Sequence, residues 1–262
     1  MRPPPNGRRA RRQLNTFKNL LTKEPERRIL VLNMFNYVTK PTLTSKAEAT
    51  RARIVDVALD LFRRQGFEPT TMREIAAKAG VSLGSAYYYF ESKEDLVMAF
   101  YERAMEAMAS RIEAALTRAG SFKERLEAIL SVKFTYFQPN RAFLGALFRH
   151  AADPENRLSP FSEATRHIRE RDQQYFAQAI TASRDVRVTD DLAEHLPMLL
   201  WLYQMGLILF WIYDRSPGQK RTRTLREKSL PLLVSALKLS RFALLKPLRA
   251  KIVDLIVTAE GG

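Results

Sequence analysis

The chain has 262 residues and a formal net charge of +15, long enough for two modest domains with cores of their own. It has no cysteine and three histidines. That excludes disulfide staples and thiolate catalysis, argues against a histidine-rich metal site, and fits a reducing cytoplasm. The basic excess sits at the two ends. Residues 1–48 carry 11 basic and 3 acidic side chains, residues 220–262 carry 10 and 3, and the stretch between is neutral. Net charge therefore assigns no polyanionic partner to the middle of the chain, where outward-facing side chains must decide.

Residues 1–44 open on Pro3-Pro4-Pro5 and then Arg8, Arg9, Arg11 and Arg12, the composition of a disordered extension. The apolar run Ile29 to Val38 is short and broken by Asn33 and Asn36, and no small-residue cleavage site follows it. Glu24 and Glu26 also argue against an organellar transit peptide. Three readings stay open: a basic arm for phosphates, a solvated tail, or a true start at Met34.

A helix is expected from Ser45, which stands three before Glu48 at capping-box spacing. Ile54, Val55, Ala58, Leu61 and Phe62 recur at helical period, and Gly66 stops the run. The next stretch, Thr70 to Phe90, is the centre of the sequence. Thr71 and Glu74 make a second capping box, and Ile75, Ala76 and Ala79 share a face. Gly80 supplies the positive φ of a sharp turn, and Ser82 caps a second short helix. In that helix Ala86 and Phe90 pack inward with Val81, which turns Leu83, Gly84, Ser85, Tyr88 and parts of Tyr87 and Tyr89 outward. Two helices crossed over a glycine turn, with small residues and tyrosine hydroxyls on the outer side, suit entry into the major groove of DNA.

Ser92 and Asp95 begin a long helix whose buried side is Leu96, Phe100, Ala104, Met108, Ile112 and Leu116. Further helices are expected over Phe122–Phe137, Arg141–Ala151, Phe161–Ser183, Asp190–Asp214, Thr222–Leu245 and Leu248–Thr258. No convincing period-two alternation occurs, so the fold class is all-α. The segment Leu196–Tyr213 is apolar nearly throughout and just short of the ~20 residues that span a bilayer. Its Gln204 and its isolation in a polar chain favour burial in protein. No Gly-rich phosphate loop, Gly-x-Ser-x-Gly elbow or His-Glu-x-x-His pair occurs, so no catalytic residue, metal or cofactor is expected. His150 and His167 could each be pocket donors, although a single histidine on a helix is more often an ordinary surface or core residue.

From about Thr50 to Leu96 the chain resembles the DNA-binding domain of the TetR family of bacterial transcription regulators. The resemblance rests on Thr50-Arg51, Ile54, Ala58, Leu61-Phe62, Gly66-Phe67, Thr70-Thr71, Ile75-Ala76, Ala79-Gly80-Val81-Ser82, Gly84, Tyr87, Phe90, Ser92-Lys93 and Leu96. It implies an N-terminal three-helix helix-turn-helix domain over residues 45–95 and a helical effector-binding and dimerisation domain over 96–262, after the extension at 1–44. By resemblance, Thr71, Arg73, Tyr87 and Lys93 hold phosphates, and Leu83, Gly84, Ser85 and Tyr89 approach base edges. Leu83 stands where the family often has a polar or basic residue, and suits a thymine methyl. Ala86 is smaller than the family's usual aliphatic residue there.

The resemblance also implies a homodimer seamed by the last large helices on double-stranded DNA, and an apolar cavity that senses an effector. Phe134, Phe137, Phe148, Tyr175 and Trp201 are the candidate lining. The expected function is repression from a near-palindromic operator, relieved by a small, largely apolar effector, in the cytoplasm and without a membrane. Two rivals stand beside it: a membrane-associated helical protein using residues 196–213, and an all-α enzyme using the aromatic cavity.

Overall fold

The computed structural model describes residues 44–151, 153, 156–242, 244 and 246–260, without the side chains of His150, Ile252, Ile256, Val257, Ala259 and Glu260. The basic extension, with its three readings and Met34, lies outside them. All regular structure among the described residues is helical. The chain divides into two units, Met1–Thr50 and Arg51–Gly262. In the first, the described residues are the opening turns of α1 (Ser45–Gln65). Its cap is Thr44 rather than Ser45. The Ala47 N–H donates to Thr44 Oγ1 at 3.3 Å and the Glu48 N–H to the Thr44 carbonyl at 2.9 Å. A Thr one residue earlier offers the same oxygen to the first turn and takes the role.

The second unit holds the rest of α1, then α2 (Met72–Ala79), α3 (Leu83–Tyr89) and α4 (Lys93–Arg118). These are followed by α5 (Phe122–Phe137), α6 (Arg141–His150), α7 (Arg166–Thr181), the single turn α8 (Asp190–Ala193), α9 (Leu196–Tyr213), α10 (Lys220–Ser240) and α11 (Lys246–Glu260). Apolar residues at helical period in each bury one stripe, and the stripes meet in two clusters. One gathers Ile54, Phe62, Ile75, Ala86, Phe90, Leu96 and Phe100 from α1 to α4, together with Phe143 and Leu147 of α6 and Trp211 of α9. The other gathers Met108, Ile112, Phe122, Ile129, Phe176, Leu200 and Val234 from α4, α5, α7, α9 and α10. Helix α4 thus serves both: Leu96 to Phe100 in the first and Ala104 to Ile112 in the second.

Several helix boundaries depart from expectation, some for a visible local reason. The run expected from Phe161 begins only at Arg166. Upstream, Thr165 Oγ1 donates to the Ser159 carbonyl at 2.6 Å, and the Leu158 N–H donates to Asn156 Oδ1 at 2.8 Å. Short polar side chains there satisfy backbone groups that a helix would otherwise claim. The run expected from Asp190 to Asp214 breaks after Ala193 and resumes at Leu196, because Pro197 has no N–H to continue the ladder. Helix α11 begins at Lys246 rather than Leu248 and takes Pro247 into its first turn, where an N–H would have no partner. Helix α10 starts at Lys220, earlier than expected, and ends at Ser240, short of the expected Leu245; Leu245 lies outside the described residues.

Candidate nucleic-acid interface and helical cavity

The α2–α3 pair is built from backbone chemistry outward. The Glu74 N–H donates to Thr71 Oγ1 at 3.2 Å and the Thr71 N–H to Glu74 Oε2 at 2.9 Å, the reciprocal pair of a capping box. The Thr71 backbone and hydroxyl bonds hold the Glu74 carboxyl below its ordinary value. Gly80 ends α2 at φ 65°, ψ 38°, and the Val81 N–H donates to the Ala76 carbonyl at 3.0 Å. A Cβ on Gly80 would meet nothing within 4 Å, so the positive φ, not space, requires glycine. Arg53 Nε donates to the Ala79 carbonyl at 2.9 Å and so ties the turn to α1. Ser82 Oγ accepts from the Ser85 N–H at 3.0 Å and starts α3.

Helix α3 sits on the core through Ala86, 0% exposed. Its outer side carries Gly84, Tyr87 at 48% exposure and Tyr88 at 77%. A Cβ on Gly84 would meet nothing within 4 Å, so packing within the chain does not demand a glycine there. Thr71 and Arg73 are exposed, and Ser85 is half-buried. Leu83 and Tyr89 are half-buried against the core, with the Tyr89 ring edge-on to Tyr88 at 5.2 Å. They face outward less fully than the sequence pattern suggests. Lys93 spends its ammonium inside the chain. Its Nζ donates to the carbonyls of Phe67 at 2.8 Å and Glu68 at 3.1 Å, and lies 4.6 Å from the Phe67 ring centroid. It locks the α1–α2 connection onto the start of α4 and keeps one N–H for any further partner.

Between α4, α5, α6, α7 and α9 lies a cavity of about 140 Å3. Phe137, Phe148 and Trp201 line it, as expected, with Tyr101, Met105, Met108 and Ile208. Leu158, Pro160 and Thr165 close one side, and Phe161 lies edge-on to Trp201 at 5.3 Å. Phe134 and Tyr175 are not in the lining. Phe134 turns edge-on to Trp211 at 5.4 Å with the Arg226 guanidinium 5.6 Å from its centroid, and Tyr175 is buried in the second cluster. Their positions on α5 and α7 point them into helix–helix seams. The lining also includes a buried polar group. Lys133 Nζ pairs with Asp172 Oδ1 at 2.5 Å, and Gln204 Nε2 donates to Asp172 Oδ2 at 3.0 Å. Gln204 Oε1 is buried and has no hydrogen-bond partner. Burial pushes the Tyr101 phenol above its ordinary value. His167 is exposed and apart from the lining, and the His150 side chain lies outside the described residues.

Residues 54–100 match the family model for bacterial regulatory proteins of the tetR family. Residues 125–256, half of the chain, match the model for the tetracyclin repressor-like C-terminal domain. The chain belongs to the TetR family. It is 46% identical over 57 residues to the HTH-type transcriptional regulator AcrR of Shigella flexneri, spanning 22% of this chain and 26% of that one. Matches to curated TetR-family relatives span less than half of the relatives' length. A TetR transcriptional regulator from Nitrosomonas europaea superposes with a TM-score of 0.56 at 21% identity, over 71% of this chain and 98% of that one. FadR from Bacillus subtilis, in complex with stearoyl-CoA, gives a TM-score of 0.55 at 19% identity, over 70% and 97%. At such identities the likeness carries the TetR fold.

Sequence reasoning left two features of this TetR-family chain unassigned. Tyr88 is the more exposed of the two outward tyrosines, and its place in an outward run was the available signal. The Lys133–Asp172–Gln204 group had one visible sign, a glutamine interrupting an apolar helix, but the partners on α5 and α7 had none.

Proposed function

We propose that the chain is a cytoplasmic DNA-binding transcriptional repressor. It acts as a homodimer on a near-palindromic operator and is released by a small effector held in the helical cavity. The carrying observation is α3: fully buried at Ala86 and open at Gly84, Tyr87 and Tyr88. Such a helix brings small residues and hydroxyls to a groove. Thr71, Arg73, Tyr87 and Lys93 are assigned to phosphates, and Leu83, Gly84, Ser85 and Tyr89 to base edges, with residues 45–95 as the reading head and 96–262 as the sensing and pairing domain.

The pairing surface is argued from exposed apolar side chains. Leu225, Leu232 and Leu239 recur every seven residues on α10, and Leu202, Leu209, Phe210 and Tyr213 face outward on α9. About a third of α9 is buried within its own chain. A second copy covering both faces explains that helix without a bilayer. Two reading heads then meet successive major grooves ~34 Å apart. The ligand in the Bacillus FadR complex supports a ligand-holding role for the helical domain. The effector releases DNA by the difference in its affinity for the two head spacings.

The test selects duplexes from a random library and measures binding of wild type and Tyr87→Phe by fluorescence anisotropy. A palindromic consensus and several-fold weaker binding by Tyr87→Phe are expected. Absence of any enriched duplex defeats the DNA reading. Undiminished affinity in the variant removes the Tyr87 contact.

A further inference from the structure

The helical cavity combines a small apolar body with one buried polar side chain, Gln204, whose amide oxygen has no partner. Its volume of about 140 Å3 is close to the roughly 150 Å3 of an engineered protein cavity that admits one benzene molecule. Met105, Met108, Phe137, Phe148 and Ile208 give it apolar walls. At Gln204 the chemistry changes. The amide nitrogen is committed to Asp172, and the amide oxygen, in a residue 1% exposed, accepts nothing. A buried acceptor without a donor is a cost that the right ligand removes.

The charges nearby restrict that ligand further. Lys133 and Asp172 neutralise each other at 2.5 Å, both largely buried. At Gln204 a carboxylate would meet Asp172 and a cation would meet Lys133, each already paired, while the other cation of the lining, Arg169, donates to the carbonyls of Pro160 and Ser162 and lies 5.9 Å from the Trp201 ring. An uncharged hydroxyl or amide meets neither penalty. It donates to Gln204 Oε1, and its own oxygen can accept from the Lys133 ammonium, which has N–H groups beyond the one facing Asp172.

We infer that the cavity takes a compact, uncharged amphiphile, with an apolar body about the size of one aromatic ring and a hydroxyl or amide seated on Gln204. This rests on the effector reading above and adds the chemical class of the ligand.

The experiment uses the full chain and five probes of one ring each: toluene, benzyl alcohol, benzamide, benzoate and benzylammonium. Binding is read by calorimetry and by the fluorescence of Trp201, and DNA release by anisotropy on a selected duplex. Benzoate and benzylammonium are expected to bind at least about ten-fold more weakly than benzyl alcohol. Gln204→Met should cost benzyl alcohol and benzamide about five-fold while leaving toluene within about two-fold. Unchanged toluene binding shows that the variant cavity is intact. If a charged probe binds best, or if Gln204→Met costs toluene and benzyl alcohol alike, the ligand class is wrong and the effector reading survives. If no probe binds, both fall. If benzyl alcohol binds as expected but leaves DNA affinity unchanged, the ligand class stands and the release mechanism fails.

Discussion

Phe143 of α6 lies flat against Phe62 of α1, with ring centroids 5.4 Å apart and planes 9° from parallel. Both are fully buried, and Phe143 also meets the Phe100 ring of α4 at 5.8 Å. Next to it on α6, Leu144 lines the cavity, as does Phe148 one turn further on. The reading head and the cavity thus share one helix. A second tie runs beside it, from Arg63 Nε to Asn140 Oδ1 at 2.7 Å. An aromatic pair contributes about 1 kcal/mol beyond its buried area. A double-mutant cycle of Phe62→Leu and Phe143→Leu, read by urea unfolding, should return a coupling of about that size. Strict additivity would mean the rings are merely buried together and transmit no specific contact.

Arg73 and Lys93 share an assignment to phosphates, but their surroundings differ. Arg73 is exposed on α2, whereas Lys93 already donates to two carbonyls. Arg73→Ala should lower the slope of log affinity against log salt by about 0.9 and leave the melting temperature unchanged. Lys93→Met removes both bonds and the ammonium over the Phe67 ring, and should cost about 1 kcal/mol of stability after allowing for partial exposure. Salt titration of DNA binding and thermal melts of both variants check this. A stable Lys93→Met variant with a reduced salt slope would return Lys93 to a purely DNA-facing role.

What could be read from residues alone follows from the range of the forces involved. Thr71, Glu74, Gly80 and Ser82 act within four residues of themselves, and their caps and turn stand as expected. The inner face of α3 followed from the spacing of Ala86 and Phe90. The cavity was partly legible: Phe137, Phe148 and Trp201 line it, while Phe134 and Tyr175 turn into seams set by neighbouring helices. Its polar end was invisible because Lys133, Asp172 and Gln204 are brought together by three separate helices. Pro197 is a local signal for the break before α9, since it has no N–H to continue the ladder.

The exposed leucines of α10 give a direct test of the dimer. Leu232 is 70% exposed and stands midway between Leu225 and Leu239 on the same stripe. In a monomer a charge there would be harmless, because surface substitutions far from packed groups cost little. In a dimer it would be buried without a partner. Leu232→Glu should therefore raise the dimer dissociation constant on the order of a hundred-fold and abolish operator binding, with helix content unchanged. Sedimentation equilibrium and circular dichroism decide it. A wild type that sediments as a monomer at DNA-binding concentrations ends the two-headed reading.

Asp214 fixes the corner between α9 and α10, and its chemistry sets an acid limit on stability. Burial alone would raise its pKa. Opposing that, Ser216 donates its N–H at 2.9 Å and its hydroxyl at 2.7 Å, and Thr222 donates its N–H at 2.8 Å and its hydroxyl at 2.7 Å. These four bonds prevail and hold the carboxyl well below the usual range. The unfolded chain has an ordinary aspartate near pKa ~3.9. The contribution is therefore complete above that value and is lost as pH falls toward the lower folded pKa. At pH 7, Asp214→Asn should melt several degrees below wild type, because an amide presents one acceptor oxygen where four donors converge. As pH falls below about 4, wild type should lose stability faster than the variant, so the gap narrows. Thermal melts across that range measure it, and a gap that stays constant with pH would show that Asp214 holds the corner by shape rather than by charge.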